Sequence, residues 1–120
     1  MTSEFLGADN LDSADHDFGI PKAWAVIDNE GVFTVRASKN ITSATDVAVG
    51  KFSLVFDNAA PDTNICFCCT GGGVNSDGQG RCVSLVADSG LSTTGALFHQ
   101  LNGSNSYVDE NRIGIEVYHK

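Results

Sequence analysis

Short runs of β-branched and aromatic residues dominate the chain from residue 21 onward. The clearest run is KFSLVF at 51–56, and the last run, at 112–120, alternates Ile113, Ile115 and Val117 with residues that face the other way. Alternation with a period of two is typical of a strand with one buried face. We therefore predict strands at 22–27, 32–38, 51–56, 63–70, 81–87, 95–101 and 112–120.

Turn residues divide these runs. DNEG follows the first predicted strand and DNAAPD follows 51–56, and both contain the Asp, Asn, Gly or Pro that tight turns favour. The segment KNITSATDVAVG at 39–50 is either a connection or an irregular strand. Short strands at this close spacing predict an all-β domain over 21–120, an antiparallel β-sandwich or a related small barrel.

The first 20 residues differ from the rest. They contain five acidic residues and no Lys or Arg, and their apolar residues are too sparse for a helical or strand period. We predict an extended acidic N-terminal arm over 1–20 that contacts a partner, with an arm folded against its own domain as the alternative. The predicted partner-binding residues are Phe5, Leu6, Leu11 and Phe18 of the arm, together with Trp24 of the first strand.

Size and charge narrow the classes of partner. A chain of 120 residues is long enough for one domain and one core. Its 15 acidic residues against 7 basic ones give a net charge of −8, which repels nucleic-acid phosphates and anionic lipid headgroups. The chain has neither a long apolar stretch nor the basic start of a secretion signal. We therefore expect no nucleic-acid partner, no membrane partner and synthesis in a cytoplasm.

All four cysteines lie in the segment PDTNICFCCTGGGVNSDGQGRC at 61–82. If the two predicted strands that flank its glycine-rich loop pair as a hairpin, Cys69 lies opposite Cys82. Facing residues of an antiparallel pair are near the separation that a disulfide accepts, so Cys69 and Cys82 are the candidate disulfide. On this hairpin Cys66 and Cys68 share the other face, and we expect both to be small buried apolar residues.

Four alternatives for the cysteine segment are less favoured. The four sulfurs do not converge on one tetrahedral zinc site unless the strand breaks, and a redox role for the pair Cys66 and Cys69 has little support. The loop GGGVNSDGQG lacks the Lys and Ser or Thr of a phosphate-binding loop. Asn75 and Asp77 resemble part of a calcium loop, but the closing Glu is missing. We therefore predict no metal and no cofactor.

No catalytic constellation can be singled out. The histidines, His16, His99 and His119, do not lie near a Ser or Cys in a recognisable nucleophile context. We expect His99 to be a strand residue with a hydrogen bond. The acidic residues outside the arm cluster at predicted turns, where they serve turn geometry and solubility. We therefore predict a protein that is not an enzyme and assign no catalytic residue.

Four stretches occur in order between residues 22 and 64: KAW at 22–24, RASKNITSATD at 36–46, GKFSLVF at 50–56 and APDTN at 60–64. This set resembles a β domain that recurs in bacteriophage tail fibres and other virion proteins. Those domains contain a KAW strand, an S-x-N-V-x-S-I-T-D segment, a G-x-Y-T-V-x-F strand and an M-P-D-x-x-Y turn. Among the positions that depart from that pattern, Ala44 replaces Ile, Phe52 replaces Tyr and Ala60 replaces Met, and these three replacements are apolar.

The resemblance implies a non-enzymatic structural module of a phage particle that assembles as a homotrimer. An arm followed by one β domain favours a capsid decoration (cement) protein, located in the virion, with the major capsid protein or other virion proteins as partners. The alternative is a short tail fibre or knob protein that binds host-surface glycans. For that alternative, exposed aromatic residues such as Tyr107 are the candidate contacts.

Overall fold

Nine β-strands form the framework of the described part of the chain. The computed structural model describes residues 19–72, 82–87 and 90–120, and of Cys82 only the backbone. The strands are β1 Ala23–Asp28, β2 Thr34–Lys39, β3 Ile41–Ala48, β4 Lys51–Phe56, β5 Cys66–Gly72, β6 Cys82–Leu85, β7 Leu91–Ser92, β8 Gly95–Leu101 and β9 Arg112–Tyr118.

The strands are arranged in two antiparallel sheets. Sheet A has the order β2-β1-β9-β5, and sheet B has the order β3-β4-β8-β6, with the short β7 also paired to β8. The inner faces of the two sheets share one core. The prediction of an all-β antiparallel sandwich is therefore confirmed.

The core is built from alternate residues of the central strands. In sheet A, β1 and β9 each bury three inward side chains, and in sheet B, β4 and β8 supply the facing aromatic layer. Phe98 stacks on Phe52 at a centroid distance of 5.5 Å and meets the edge of Phe67 at 5.0 Å. Full burial of a phenylalanine side chain stabilises the folded state by about 1.5–3 kcal/mol. The buried set is Ala23, Ala25, Ile27, Phe52, Leu54, Phe56, Ala96, Phe98, Ile113, Ile115 and Val117.

A single residue, Asn40, joins β2 of sheet A to β3 of sheet B. Its φ of 59° lies in the left-handed region, which Asn tolerates better than most residues. Its Nδ2 donates to the carbonyl oxygen of Lys22 at 2.8 Å, and its own carbonyl oxygen accepts from the backbone N–H of Asp57 at 2.9 Å. Of the two alternatives for the segment 39–50, the irregular strand is found: residues 41–48 form β3, which has two register shifts against β4.

The predicted hairpin between the cysteine strands is wrong. β5 pairs with β9 in sheet A, whereas β6 pairs with β8 in sheet B. The segment 73–81 between the two strands is longer than the loops of two to five residues typical of hairpins, and a connection of that length allows the chain to cross between sheets. Cys69 consequently faces Ile115, and Cys82 faces Leu101.

The predicted arm lies almost entirely outside the described residues. Phe5, Leu6, Leu11 and Phe18 are all in that part, so their role in partner binding stays a prediction. The description begins at Gly19, and Ile20 exposes 47% of its surface just before β1. Among the residues that the structure does describe, no helix is both long and apolar enough to cross a membrane.

Candidate interaction surface on the outer face of sheet A

The outer face of sheet A carries one continuous row of side chains across all four of its strands. Lys39 of β2 lies opposite Trp24 of β1, Trp24 lies opposite Glu116 of β9, and Glu116 lies opposite Cys68 of β5. Because neighbours of Trp24 and Glu116 along their strands point into the core, this row points away from it. Trp24, predicted as a partner-binding residue, is half-buried here rather than a member of the core.

A groove of about 390 Å³ runs beside this row. Its wall includes Pro21, Trp24, Val26 and Cys68. Gly114 lies in the groove, where an added Cβ would come within 2.7 Å of the Thr70 hydroxyl oxygen. A larger residue at that position would therefore fill the groove, so the groove depends on a glycine in the middle of β9.

Glu116 lines the groove, and Tyr118 follows it two residues later on the same face of β9. Desolvation, followed by the negative charge of Glu116, raises the pKa of the Tyr118 phenol above its ordinary value of 10.0. A hydrogen-bonding contribution from the Glu116 carboxylate acts in the same direction, because it favours the protonated phenol. This side of the groove offers one fixed negative charge beside an aromatic, apolar wall.

Two thiols lie on the same outer face. Cys66 and Cys68 are exposed, so the expectation that they are buried is wrong. The sequence predicted correctly that successive residues of β5 alternate between the core and the surface. The faces are exchanged, however, because Phe67 and Cys69 pack against the core. The larger Phe67 occupies the inner position beside Phe98, which leaves the two small thiols outside.

The pair Cys69 and Cys82 no longer has the geometric basis on which it was predicted. Cys69 is half-buried at the edge of the core, and its strand contacts β6 across the sandwich instead of pairing with it. The side chain of Cys82 lies outside the described residues. A disulfide between Cys69 and Cys82 stays a prediction.

A second cluster lies on the outer face of sheet B and was not predicted. His99 of β8 is opposite Lys51 of β4 on one side and Ser84 of β6 on the other. Its Nε2 lies 2.8 Å from the Ser84 hydroxyl oxygen, which confirms that His99 is a strand residue with a hydrogen bond. The Tyr107 ring is 5.9 Å from the His99 ring, and the Lys51 Nζ lies 4.9 Å from the centre of the Tyr107 ring.

The loop before β9 fixes the position of Tyr107. The Oδ1 atom of Asn102 accepts hydrogen bonds from the backbone N–H groups of Ser104 and Ser106. At the other end of the loop, Asp109 Oδ1 accepts from the Gly50 N–H at 2.8 Å. An added Cβ on Gly50 would lie 2.9 Å from the Tyr107 Cβ. The loop therefore packs closely against the β3–β4 turn. Even so, 48% of the Tyr107 surface is exposed.

The Ser84–His99 contact resembles a serine nucleophile that is hydrogen-bonded to a histidine base. A catalytic triad also needs a third group that orients the histidine. Here the other ring nitrogen, Nδ1 of His99, is buried, and within the described residues it has no hydrogen-bond partner. Among the residues that the structure describes, the arrangement supplies a hydrogen-bonded surface cluster but no carboxylate that orients His99.

Metal ligation has no visible basis in the described part of the chain. No group of three or more His, Cys, Asp or Glu side chains is placed there to hold a metal ion. The residues weighed for calcium, Asn75 and Asp77, lie outside the described residues.

The chain was compared with known proteins in three ways. No protein-family model matches it, and neither the curated proteins nor the solved structures contain a significant match. The function proposed below therefore rests on the residues and contacts described above.

Proposed function

We propose that this protein is a non-enzymatic structural component of a bacteriophage particle, and specifically a capsid decoration protein. In this proposal it is made in the bacterial cytoplasm, assembles as a homotrimer and binds the major capsid protein. Its arm reaches neighbouring subunits, while the sandwich lies on the outside of the shell.

One observation carries the proposal: three of the four stretches that resemble virion β domains meet around Asn40. The KAW stretch supplies Lys22, whose carbonyl oxygen accepts the hydrogen bond from Asn40. Asp57, which directly follows the GKFSLVF stretch, donates its N–H to the Asn40 carbonyl and accepts a hydrogen bond from Thr42 at 2.8 Å. The resemblance therefore involves residues that form one connected corner of the fold, which supports a common architecture.

The groove on the outer face of sheet A supports the part of the proposal that concerns a partner. Tryptophan is among the residues most enriched at the centres of protein interfaces, because its large apolar ring is ordered at little entropic cost. Trp24 is half-buried beside a groove whose opposite wall carries small side chains. A partner residue that fills this groove would complete the burial of Trp24.

The proposal is tested by sedimentation of the purified chain, alone and with empty capsids assembled from the major capsid protein of the same genome. We expect a trimer that co-sediments with the capsids. Trp24→Ala should weaken capsid binding or trimer formation at least tenfold. Tyr107→Ala removes an exposed aromatic side chain from the loop before β9, beside the outer face of sheet B. It is the matched control and should leave both unchanged. A monomer that does not bind capsids would overturn the proposal.

A second candidate function is binding of host-surface glycans by a short tail fibre or knob. The observation that favours it is the exposed Tyr107 ring, which has His99 and Ser84 nearby as hydrogen-bonding groups. Aromatic rings of this kind supply contact area to a ligand, while polar neighbours orient it. A glycan array probed with the wild type and with Tyr107→Ala decides the question, and binding that Tyr107→Ala abolishes would favour this function.

A further inference from the structure

The groove beside Trp24 has one charged residue in its lining. Of the described residues that line it, Glu116 alone carries a charge, and the others are apolar or uncharged. The Glu116 side chain is exposed, and within the described part of the chain no cation forms an ion pair with it. Lys39, which lies opposite Trp24 in the adjoining strand, does not line the groove. The described residues therefore leave this carboxylate without a counter-charge.

The strand register gives the groove a direction. β1 supplies one wall and β5 the other, and the outer face of β9 forms the floor between them. On this floor Gly114 provides the space, and Glu116 provides the charge two residues later. Trp24 lies directly opposite Glu116 in the wall formed by β1. A long side chain can therefore lie along the floor with its stem over Gly114 and its end between the indole and the carboxylate.

This combination of walls selects the kind of side chain that fits. A purely apolar group would cover the Glu116 carboxylate without replacing its hydration, which costs free energy. An acidic group would be repelled by the same carboxylate. A cationic group on an apolar stem is favoured on both counts, because the stem packs against the apolar wall and the cation pairs with the carboxylate. Arginine suits the site better than lysine, since its planar guanidinium stacks on aromatic rings and binds a carboxylate through two N–H groups.

We propose that the groove binds an arginine side chain of the partner protein, with the guanidinium stacked on the Trp24 indole and hydrogen-bonded to the Glu116 carboxylate. The occupant comes from another chain rather than from the arm, because residues 1–20 contain five acidic residues and no Lys or Arg. The inference rests on the proposed function in one respect, the use of this groove as a partner contact, and it adds the chemistry of that partner.

The fluorescence of Trp24 reports directly on the groove, because the chain contains a single tryptophan. The probe is the tripeptide acetyl-Gly-Arg-Gly-amide, and its control is the same peptide with citrulline, which has a similar shape and no charge. We expect the arginine peptide to change the emission of Trp24 saturably, with a dissociation constant lower than that of the citrulline peptide by roughly fivefold, the upper range for an exposed ion pair. Equal effects of the two peptides, or no change with either, would overturn the proposal.

A pair of charge variants assigns the effect to Glu116. Glu116→Gln keeps the shape of the side chain and removes its charge, so the two peptides should then bind equally. Asp46→Asn is the matched control, because it removes the same charge from an exposed position on β3 of sheet B. The preference for the arginine peptide should persist in Asp46→Asn. Loss of that preference in both variants would show attraction to the net negative charge alone and would contradict the proposed site.

A third variant tests whether the peptide enters the groove. Gly114→Ala keeps both Trp24 and Glu116, but its Cβ would lie 2.7 Å from the Thr70 hydroxyl oxygen and would occupy the floor. The emission change caused by the arginine peptide should be lost in this variant, with circular dichroism confirming that the sandwich still folds. An unchanged dissociation constant in Gly114→Ala would mean that the peptide binds outside the groove, which would overturn the proposal.

The peptide titration and the capsid experiment can fail separately. If Trp24→Ala weakens capsid binding but the wild type does not distinguish the two peptides, the proposed function stands and the arginine site is wrong. If the wild type prefers the arginine peptide but does not bind capsids, the arginine site stands and the capsid assignment is wrong.

Discussion

Asn40 combines two properties at the corner between the sheets. Its backbone occupies the left-handed region, with a φ of 59°, and its side chain donates to the carbonyl oxygen of Lys22. An L-residue other than Asn or Gly pays roughly 1–2 kcal/mol for this conformation. A hydrogen bond of this kind adds about 0.5–1.5 kcal/mol. The corner is therefore sensitive to the identity of this one residue.

We predict that Asn40→Ala lowers the free energy of unfolding by about 1–3 kcal/mol, because it strains the backbone and removes the hydrogen bond. Asn40→Gly keeps the backbone conformation and should lose only the hydrogen bond, about 1 kcal/mol. Asn105 has a similar φ of 65° in an exposed loop, and Asn105→Ala is the control for the backbone cost alone. Urea unfolding measures all three, and equal losses in Asn40→Ala and Asn105→Ala would contradict a role for the Lys22 contact.

Gly50 is constrained by space as well as by conformation. Its φ is +67°, and a Cβ would lie 2.9 Å from the Gln100 carbonyl oxygen and from the Tyr107 Cβ. We predict that Gly50→Ala destabilises the protein by at least about 2 kcal/mol. Gly31 has a φ of +70° with nothing near its Cβ position, so Gly31→Ala measures the backbone cost alone. Thermal unfolding of the two variants should differ clearly, and equal melting temperatures would contradict the packing of the loop on this turn.

Asp28 supplies a pH dependence that can be isolated. Its carboxylate accepts from the backbone N–H of Glu30 and forms an ion pair with Arg36 at 2.7 Å, and these contacts hold its pKa below the ordinary value of 3.8. A carboxyl with a lowered pKa stabilises the fold above its unfolded pKa, and that contribution disappears as the pH falls through the lowered pKa. Asp28→Asn should therefore be less stable than the wild type at neutral pH, and the difference should shrink as the pH falls below 3.8 and vanish once the pH is below the lowered pKa of Asp28. A difference that persists at lower pH would contradict this assignment.

At the scale of the elements, strand positions were predictable where one face is buried. The bounds of β4 and β8 match the prediction, because KFSLVF and GALFHQL alternate between core and surface along their length. The two-residue β7 carries no such pattern and was missed. The pairing of the strands was harder to predict, because alternation alone does not show which sheet a strand joins. The partners of β5 and β6 depend on the length of the connection and on where Phe67 packs.

The orientation of β5 predicts how its thiols react. Cys66 and Cys68 are exposed and free, whereas Cys69 is half-buried against the core. In the folded protein we expect iodoacetamide to modify Cys66 and Cys68 well before Cys69, as followed by peptide mass spectrometry. Reaction of Cys69 at the same rate would contradict the assigned face, and unfolding in urea provides the reference in which all sites are equally accessible.

The candidate surfaces followed from the pairing rather than from the sequence. Trp24 was singled out as a lone tryptophan, but its neighbours Glu116 and Cys68 come from strands far along the chain and meet it only through the ladder. The cluster around His99 likewise required the alignment of β4, β6 and β8. Sequence reasoning therefore found single residues, and the register of the sheets supplied the surfaces.

At the scale of the whole molecule, the sandwich presents two different outer faces. Sheet A offers the groove beside Trp24, whereas sheet B offers the hydrogen-bonded cluster around His99 and Tyr107. The proposed function assigns the first face to contacts within the particle and leaves the second toward the solvent. The proposal therefore predicts the orientation of the domain on the particle: the outer face of sheet A inward and the outer face of sheet B outward.

The most direct test of that assignment is an image reconstruction of the intact phage particle whose genome encodes this chain. The account predicts a trimer of sandwiches on the outside of the shell, with the outer face of sheet A in contact with a neighbouring subunit and Tyr107 toward the solvent. A particle that lacks this chain, or one in which the groove beside Trp24 faces open solvent, would contradict it.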